Sequence, residues 1–362
     1  MKYIDEYRDP ALARGLLHRI ERLAGKIGSP VAIMEVCGSH TTAIGRFGIR
    51  SLLPENVRLI SGPGCPVCVT APADVDRSFL LAGRRDVILA TFGDMLRVPG
   101  SQGMNLQKIK AGGADIRVVV SPAEAVGLSE KNSGKEIVFL GIGFETTSPT
   151  LAASILHARR KGIRNLSVFS VHKLIPPAMK VLMEDKDLSI DGFLCPGHVS
   201  IIIGADAYQF IADAGRSAVI AGFEPVDILE GIFMILQQIS EQKPEVAIQY
   251  ARSVKAGGNE KARDILATVF EPEAARWRGL GSIDDSGLRF KPDFREFDAL
   301  ERFDVPDPKS KEPTGCACGE ILRGVKGPDQ CPLFGTRCRP DDPVGPCMVS
   351  SEGSCAAYYK YK

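Results

Sequence analysis

The sequence lacks any apolar run near the ~18 to 20 residues that a membrane-spanning helix needs. It also lacks a block of either charge, with 45 basic residues against 44 acidic ones and a net charge of +1. Neither membrane insertion nor electrostatic steering toward nucleic acid or a lipid surface is therefore expected. The charged start Met1-Lys2-Tyr3-Ile4-Asp5-Glu6 does not read as a secretory signal, so a cytoplasmic protein is expected. In that reducing setting a structural disulfide framework is disfavoured, and the ten cysteines call for metal binding or redox work instead. The paired Cys-x-x-Cys knuckles of a zinc ribbon are missing. Gly141-Ile142-Gly143 has neither the third glycine nor a Walker lysine, which argues against a nucleotide site.

What is present begins with Ser61-Gly62-Pro63-Gly64-Cys65-Pro66-Val67-Cys68-Val69-Thr70, a Cys-x-x-Cys on a Gly/Pro-stiffened turn at the start of a helix. The positive end of a helix dipole stabilises thiolate, so Cys65 and Cys68 read as a reactive dithiol or as half of a metal site. Asp9-Pro10 opens a first amphipathic helix over residues 9–25. From residue 31 the chain repeats an apolar strand, a turn rich in Gly, His, Cys or Glu, and an amphipathic helix, which is the pattern of βαβ units. Strands are expected at 31–36, 57–60, 86–90, 116–120, 136–140, 166–171, 192–194 and 218–221. The expected fold class is α/β. Two parallel-sheet, Rossmann-like domains, residues 28–115 and 116–222, face a cleft, and a helical and loop-rich domain spans 223–362 together with helix 9–25.

Parallel sheets bind ligands at the carboxyl ends of their strands. The turns there bring Cys37, His40, Cys65, Cys68, Glu145, His172 and His198 toward the expected cleft. Glu145 and His198 are candidate acid/base or metal-facing groups. Gly222-Phe223-Glu224 echoes Gly143-Phe144-Glu145 and hints at two related halves. Beyond Pro225 a long amphipathic helix and two further helices are expected before Gly279, and beyond Pro306 periodicity gives way to Pro and Gly. That tail holds Cys316, Cys318, Cys331, Cys338, Cys347 and Cys355 at irregular spacing, which fits an iron–sulfur cluster held by four thiolates better than structural zinc. The expected ligands are Cys318, Cys331, Cys338 and Cys355, with Cys316 and Cys347 as alternates or as a redox pair.

Five motifs in order, Val36-Cys37-Gly38-Ser39-His40-Thr41, Gly62 to Thr70, Gly143-Phe144-Glu145-Thr146-Thr147, Pro196-Gly197-His198-Val199-Ser200 and Pro343 to Gly353, closely resemble the HypD family of nickel–iron hydrogenase maturation factors. The resemblance implies a cytoplasmic protein with a 4Fe-4S cluster that assembles the Fe(CN)2CO unit. HypC holds the iron jointly, and HypE supplies cyanide transiently. It further implies that Cys37 binds the iron being built, that His40 orients it or manages a proton, and that Cys65 and Cys68 relay electrons from the cluster. Two other readings are a stand-alone iron–sulfur disulfide reductase, which has no need of Cys37, and a zinc-stabilised interaction module.

Overall fold

The computed structural model describes residues 4–361. Asp9 caps the first helix, Pro10–Ile27, by accepting from the amides of Ala11 and Leu12, and Gly28 closes it in the left-handed region at φ 71°. The apolar runs become short strands, of which β1, β3, β7 and β8 are buried throughout, as expected where helices cover a parallel sheet. These are β1 (Val31–Glu35), β2 (Val57–Ser61), β3 (Val87–Thr91), β4 (Ile116–Val118), β5 (Glu136–Gly141), β6 (Leu166–Ser170), β7 (Gly192–Pro196), β8 (Ser217–Ala221) and β9 (Val246–Ile248). An antiparallel ribbon follows, β10 (Phe270–Trp277) and β11 (Gly281–Phe290). Among the described residues no helix is long and apolar enough to cross a membrane.

The strands are shared out differently from the sequential division read in the sequence. One parallel sheet has the order β2-β1-β7-β8-β9 and the other β4-β3-β5-β6. The boundary expected at 115/116 falls inside the second sheet, where β3 pairs with β4 from Leu89–Ile116 to Thr91–Val118. The unit carrying β3 to β6 is thus inserted between β2 and β7 of the first. Local periodicity announces strands but does not say which of them pair. The first helix also belongs to the first sheet: its Ile20 and Ala24 pack with Ile228, Ile232 and Ile235 of the helix Pro225–Glu241 over Ile33 and Val219.

Where two more helices were expected before Gly279, there is one, Glu260–Val269, and then the ribbon. Its burial alternates over residues 271–275 with a strand's period of two, and Gly279 and Gly281 turn it at positive φ. The C-terminal part has little regular structure. It consists of the short helix Cys318–Arg323, single turns at Pro328–Gln330 and Pro346–Met348, and a last helix, Ser354–Tyr361.

Candidate functional site

Ligands of open parallel sheets gather where the strand order reverses. In the first sheet that point lies between β1 and β7, and in the second between β3 and β5. Both open onto one cleft of about 610 Å³. Its walls include Cys37 after β1, Asp94 after β3, Thr146 and Thr147 after β5, His198 after β7, and Glu352 from the C-terminal part.

Cys37 is the N-cap residue of the helix Gly38–Arg46. Its amide donates to Glu35 Oε2 at 3.2 Å, and Thr41 Oγ1 donates to the other oxygen of the same carboxylate. Glu35 is wholly buried, and burial raises its pKa to about 7 against the hydrogen bonds that lower it. Burial, then the Glu352 charge, pushes the Cys37 thiol up to about 12, although the amides of Ser39 and His40 pull the other way. Cys37 therefore rests as a neutral thiol.

Two close approaches build this corner. A Cβ on Gly64 would stand 2.3 Å from the Cys37 backbone nitrogen, so the dithiol loop lies directly on Cys37. A Cβ on Gly38 would stand 2.4 Å from Glu352, whose carboxylate accepts from Ser39 Oγ at 3.2 Å. Sequence reasoning gave Glu352 no role. It lies in one of the quoted motifs, but more than three hundred residues separate it from Cys37.

Cys65 and Cys68 form a disulfide, with Cα atoms 5.2 Å apart. Cys65 caps the turn Pro66–Val69. Both sulfurs are buried, and it is Gly64, Pro66 and Val67 of their loop that line the cleft.

Other expected residues stand behind the cleft wall. His40 is fully buried, with Nε2 bonded to the Gly222 carbonyl at 2.9 Å and Nδ1 unpartnered, and burial lowers its pKa to about 4. Phe223 stacks between His40 and His198, at 4.8 and 3.9 Å from their centroids, and so joins the buried imidazole to the one in the cleft. His172 sits against Ser170 at 3.3 Å and is lowered to about 3 by burial; it does not line the cleft. Glu145 accepts from the Ile175 amide at 2.9 Å at the start of the helix Ile175–Glu184, not at the helix after it in sequence. Its Oε2 is buried without a partner, and burial raises its pKa to about 7. The Gly-Phe-Glu echo follows β5 and β8 at equivalent strand ends, but Phe144 stacks on Trp277, and Glu224 pairs with Arg8.

All six C-terminal cysteines line one small apolar pocket that Ile321, Phe334 and Met348 also line. Cys318 Sγ and Cys347 Sγ approach to 2.9 Å, so the close pair is Cys318–Cys347 and not Cys316–Cys347. Thiol hydrogen bonds from Cys316 and Cys347 hold Cys318 well below the usual thiol range, and those two thiols are pushed up in return. The Val344 amide donates to Cys338 Sγ at 3.3 Å. Buried thiols around an apolar void, with an amide aimed at one sulfur, fit the donor set of an iron–sulfur cluster. Among the described residues no three His, Cys, Asp or Glu side chains close to single-ion distance. The turn Pro346–Met348, which carries Cys347, packs on the turn Pro66–Val69, which carries Cys68.

A family model described as "HypD: Hydrogenase formation hypA family" matches residues 11–362. The chain is 48% identical to hydrogenase maturation factor HypD2 of Bradyrhizobium diazoefficiens, covering 100% of this chain and 97% of that protein. It is 48% identical to HypD of Rhodobacter capsulatus, over 100% and 98% of the two chains. With HypD of Escherichia coli K12 it shares 45% identity, over 100% and 98%. The chain belongs to the HypD family of hydrogenase maturation factors.

Proposed function

We propose that the chain assembles the Fe(CN)2CO unit on Cys37, in the cleft, jointly with HypC and with cyanide from HypE, while the C-terminal thiols hold a 4Fe-4S cluster. The observation that carries the reading is the succession of thiols from the C-terminal void to the cleft: the turn bearing Cys347 packs on the turn bearing Cys68, and Gly64 of that loop lies on Cys37. Iron is the substrate here. A soft thiolate suits low-spin iron with strong-field ligands, and the Cys37 thiol gives up its proton to the metal. His198 and Glu352 stand in the same cleft, where they can carry that proton away.

The 2.9 Å approach of Cys318 and Cys347 supports a second dithiol, which leaves Cys316, Cys331, Cys338 and Cys355 for the cluster. This set exchanges Cys316 for Cys318 in the expectation from spacing. When bound, the cluster supplies single electrons. The chain's own part is thiol–disulfide exchange: Cys318 and Cys347 each lose a hydrogen and join, and Cys65–Cys68 opens to two thiols, so two electrons and two protons pass.

The test is an infrared spectrum, with an iron and zinc count, of protein purified without oxygen after co-expression with HypC and the cyanide-producing factors. Metal-bound cyanide and carbonyl bands, with iron beyond one four-iron cluster, are expected, and both are lost in Cys37→Ala. Iron for one cluster without such bands would leave a disulfide reductase. Zinc in place of iron would leave an interaction module.

A further inference from the structure

Arg278 heads the largest fully buried side chains of the described structure; its side chain is 0% exposed. It sits at the tip of the β10–β11 ribbon, between the two cysteine-bearing regions. Its amide donates to the Val69 carbonyl at 2.8 Å, and Nε donates to the Thr70 carbonyl at 3.1 Å, immediately past Cys68. On the other side Gly279 lies backbone to backbone against Gly319, the residue after Cys318. Nη1 pairs with Glu312, a half-exposed carboxylate, and Nη2 is buried with no partner.

Burying a guanidinium is costly, and an apolar side chain would fill the same space without that cost. The bonds to Val69 and Thr70 pin the ribbon to the dithiol turn, but they need neither the positive charge nor the unpaired Nη2. A fixed charge in a low-dielectric interior acts strongly on any charge that appears beside it. We propose that Arg278 is a positioning residue for electrons: it is the cation that stabilises the negative charge gained when the neighbouring thiol-bound cluster is reduced, and Glu312 is its counterweight. The step is one electron from a low-potential one-electron donor to the cluster, with no bond made or broken and no proton moved. The inference rests on the reading that the C-terminal thiols hold a cluster.

The test is a mediated titration of the full chain, purified without oxygen, reduced with dithionite and followed by electron paramagnetic resonance. Arg278→Gln is expected to make reduction at least tenfold less favourable at a given potential, a fall of about 59 mV for one electron. Glu312→Gln, at a half-exposed site that tolerates change, is expected to shift the potential upward, and Arg278→Lys to stay nearer the wild type. A merely structural pin would not give shifts of opposite sign. If Arg278→Gln does not fold, Glu312→Gln decides alone. A potential that stays put or falls in Glu312→Gln overturns the inference while the cluster stands. A wild-type protein with no cluster signal overturns the reading and the inference together.

Discussion

The two thiol-bearing regions are built in opposite ways. Cys37, Cys65 and Cys68 stand on turns that follow β1 and β2, which pair in register from Val31–Val57 to Glu35–Ser61, so the sheet holds the backbone that leads into them. The C-terminal thiols stand on the six-residue helix Cys318–Arg323, on single turns and loops, and on the last helix Ser354–Tyr361, and they converge on one apolar pocket. A site on a sheet is preorganised by the fold, whereas a site on loops is organised by what its side chains bind. The backbone around the cleft is therefore set by the sheets, whereas that around the C-terminal thiols depends on what those side chains contact.

The largest expected effect separates the regions outright. Replacing Cys331 and Cys338 together by serine should leave residues 316–355 exchanging their amide hydrogens nearly freely while β1 to β8 keep their protection. Mass spectrometry of hydrogen exchange reads this directly. If the strands lose protection along with the tail, the regions form one cooperative unit and the contrast fails.

Next in size is Gly64→Ala. The added methyl meets backbone atoms of Val36 and Cys37 at 2.3 to 2.5 Å, and backbone has no rotamer by which to escape. The cost should reach or pass the top of the roughly 1–3 kcal/mol range of overpacked sites, seen in urea unfolding. A variant that is as stable as the wild type would mean that the dithiol loop does not rest on Cys37 as described.

Third is the pH dependence of the sheet region. The buried Glu145 has its pKa raised from 4.5 to about 7. Below pH 4.5 it is protonated in both folded and unfolded chains and costs nothing. Between 4.5 and 7 the unfolded chain gives up its proton first, so stability falls as pH rises, and above 7 the loss is complete at about 3 kcal/mol. Glu145→Gln should therefore gain roughly 2 kcal/mol relative to wild type between pH 5 and pH 8. Glu35, raised in the same direction, should preserve a residual slope. Equal stability profiles for the two proteins would show that Glu145 is not held in an apolar surrounding.

The sequence announced the strands well and their partnership poorly. Val31 to Glu35, Val57 to Ser61 and Glu136 to Gly141 begin at the residues expected from the sequence, because strands of a covered parallel sheet are rich in apolar residues. The insertion of β3 to β6 between β2 and β7 leaves no local mark, since pairing is decided between segments more than a hundred residues apart. The ribbon β10–β11 was hidden for another reason: Glu273, Ala274 and Ala275 are common in helices, and a bulge between Glu273 and Ala275 interrupts the alternation. Cys37 was legible from its turn. Glu352, Phe223 and the Cys318–Cys347 pair were not, because each matters through a neighbour distant in the chain.

The smallest expected effect repeats the Gly64 substitution on the scaffold. Gly127 lies in the helix Pro122–Lys131, has no positive φ, and has nothing within 4 Å of where a Cβ would stand. A glycine there costs entropy that alanine does not, so Gly127→Ala should stabilise the protein by about 0.4–1 kcal/mol. The same added methyl is thus expected to cost several times more at Gly64 than it gains at Gly127, since only Gly64 has another segment's backbone against it. Urea unfolding of the two variants side by side measures the difference. Two losses of similar size would mean that the cleft corner is packed no more tightly than an open helix face, and would remove the reason to regard Cys37 as preorganised.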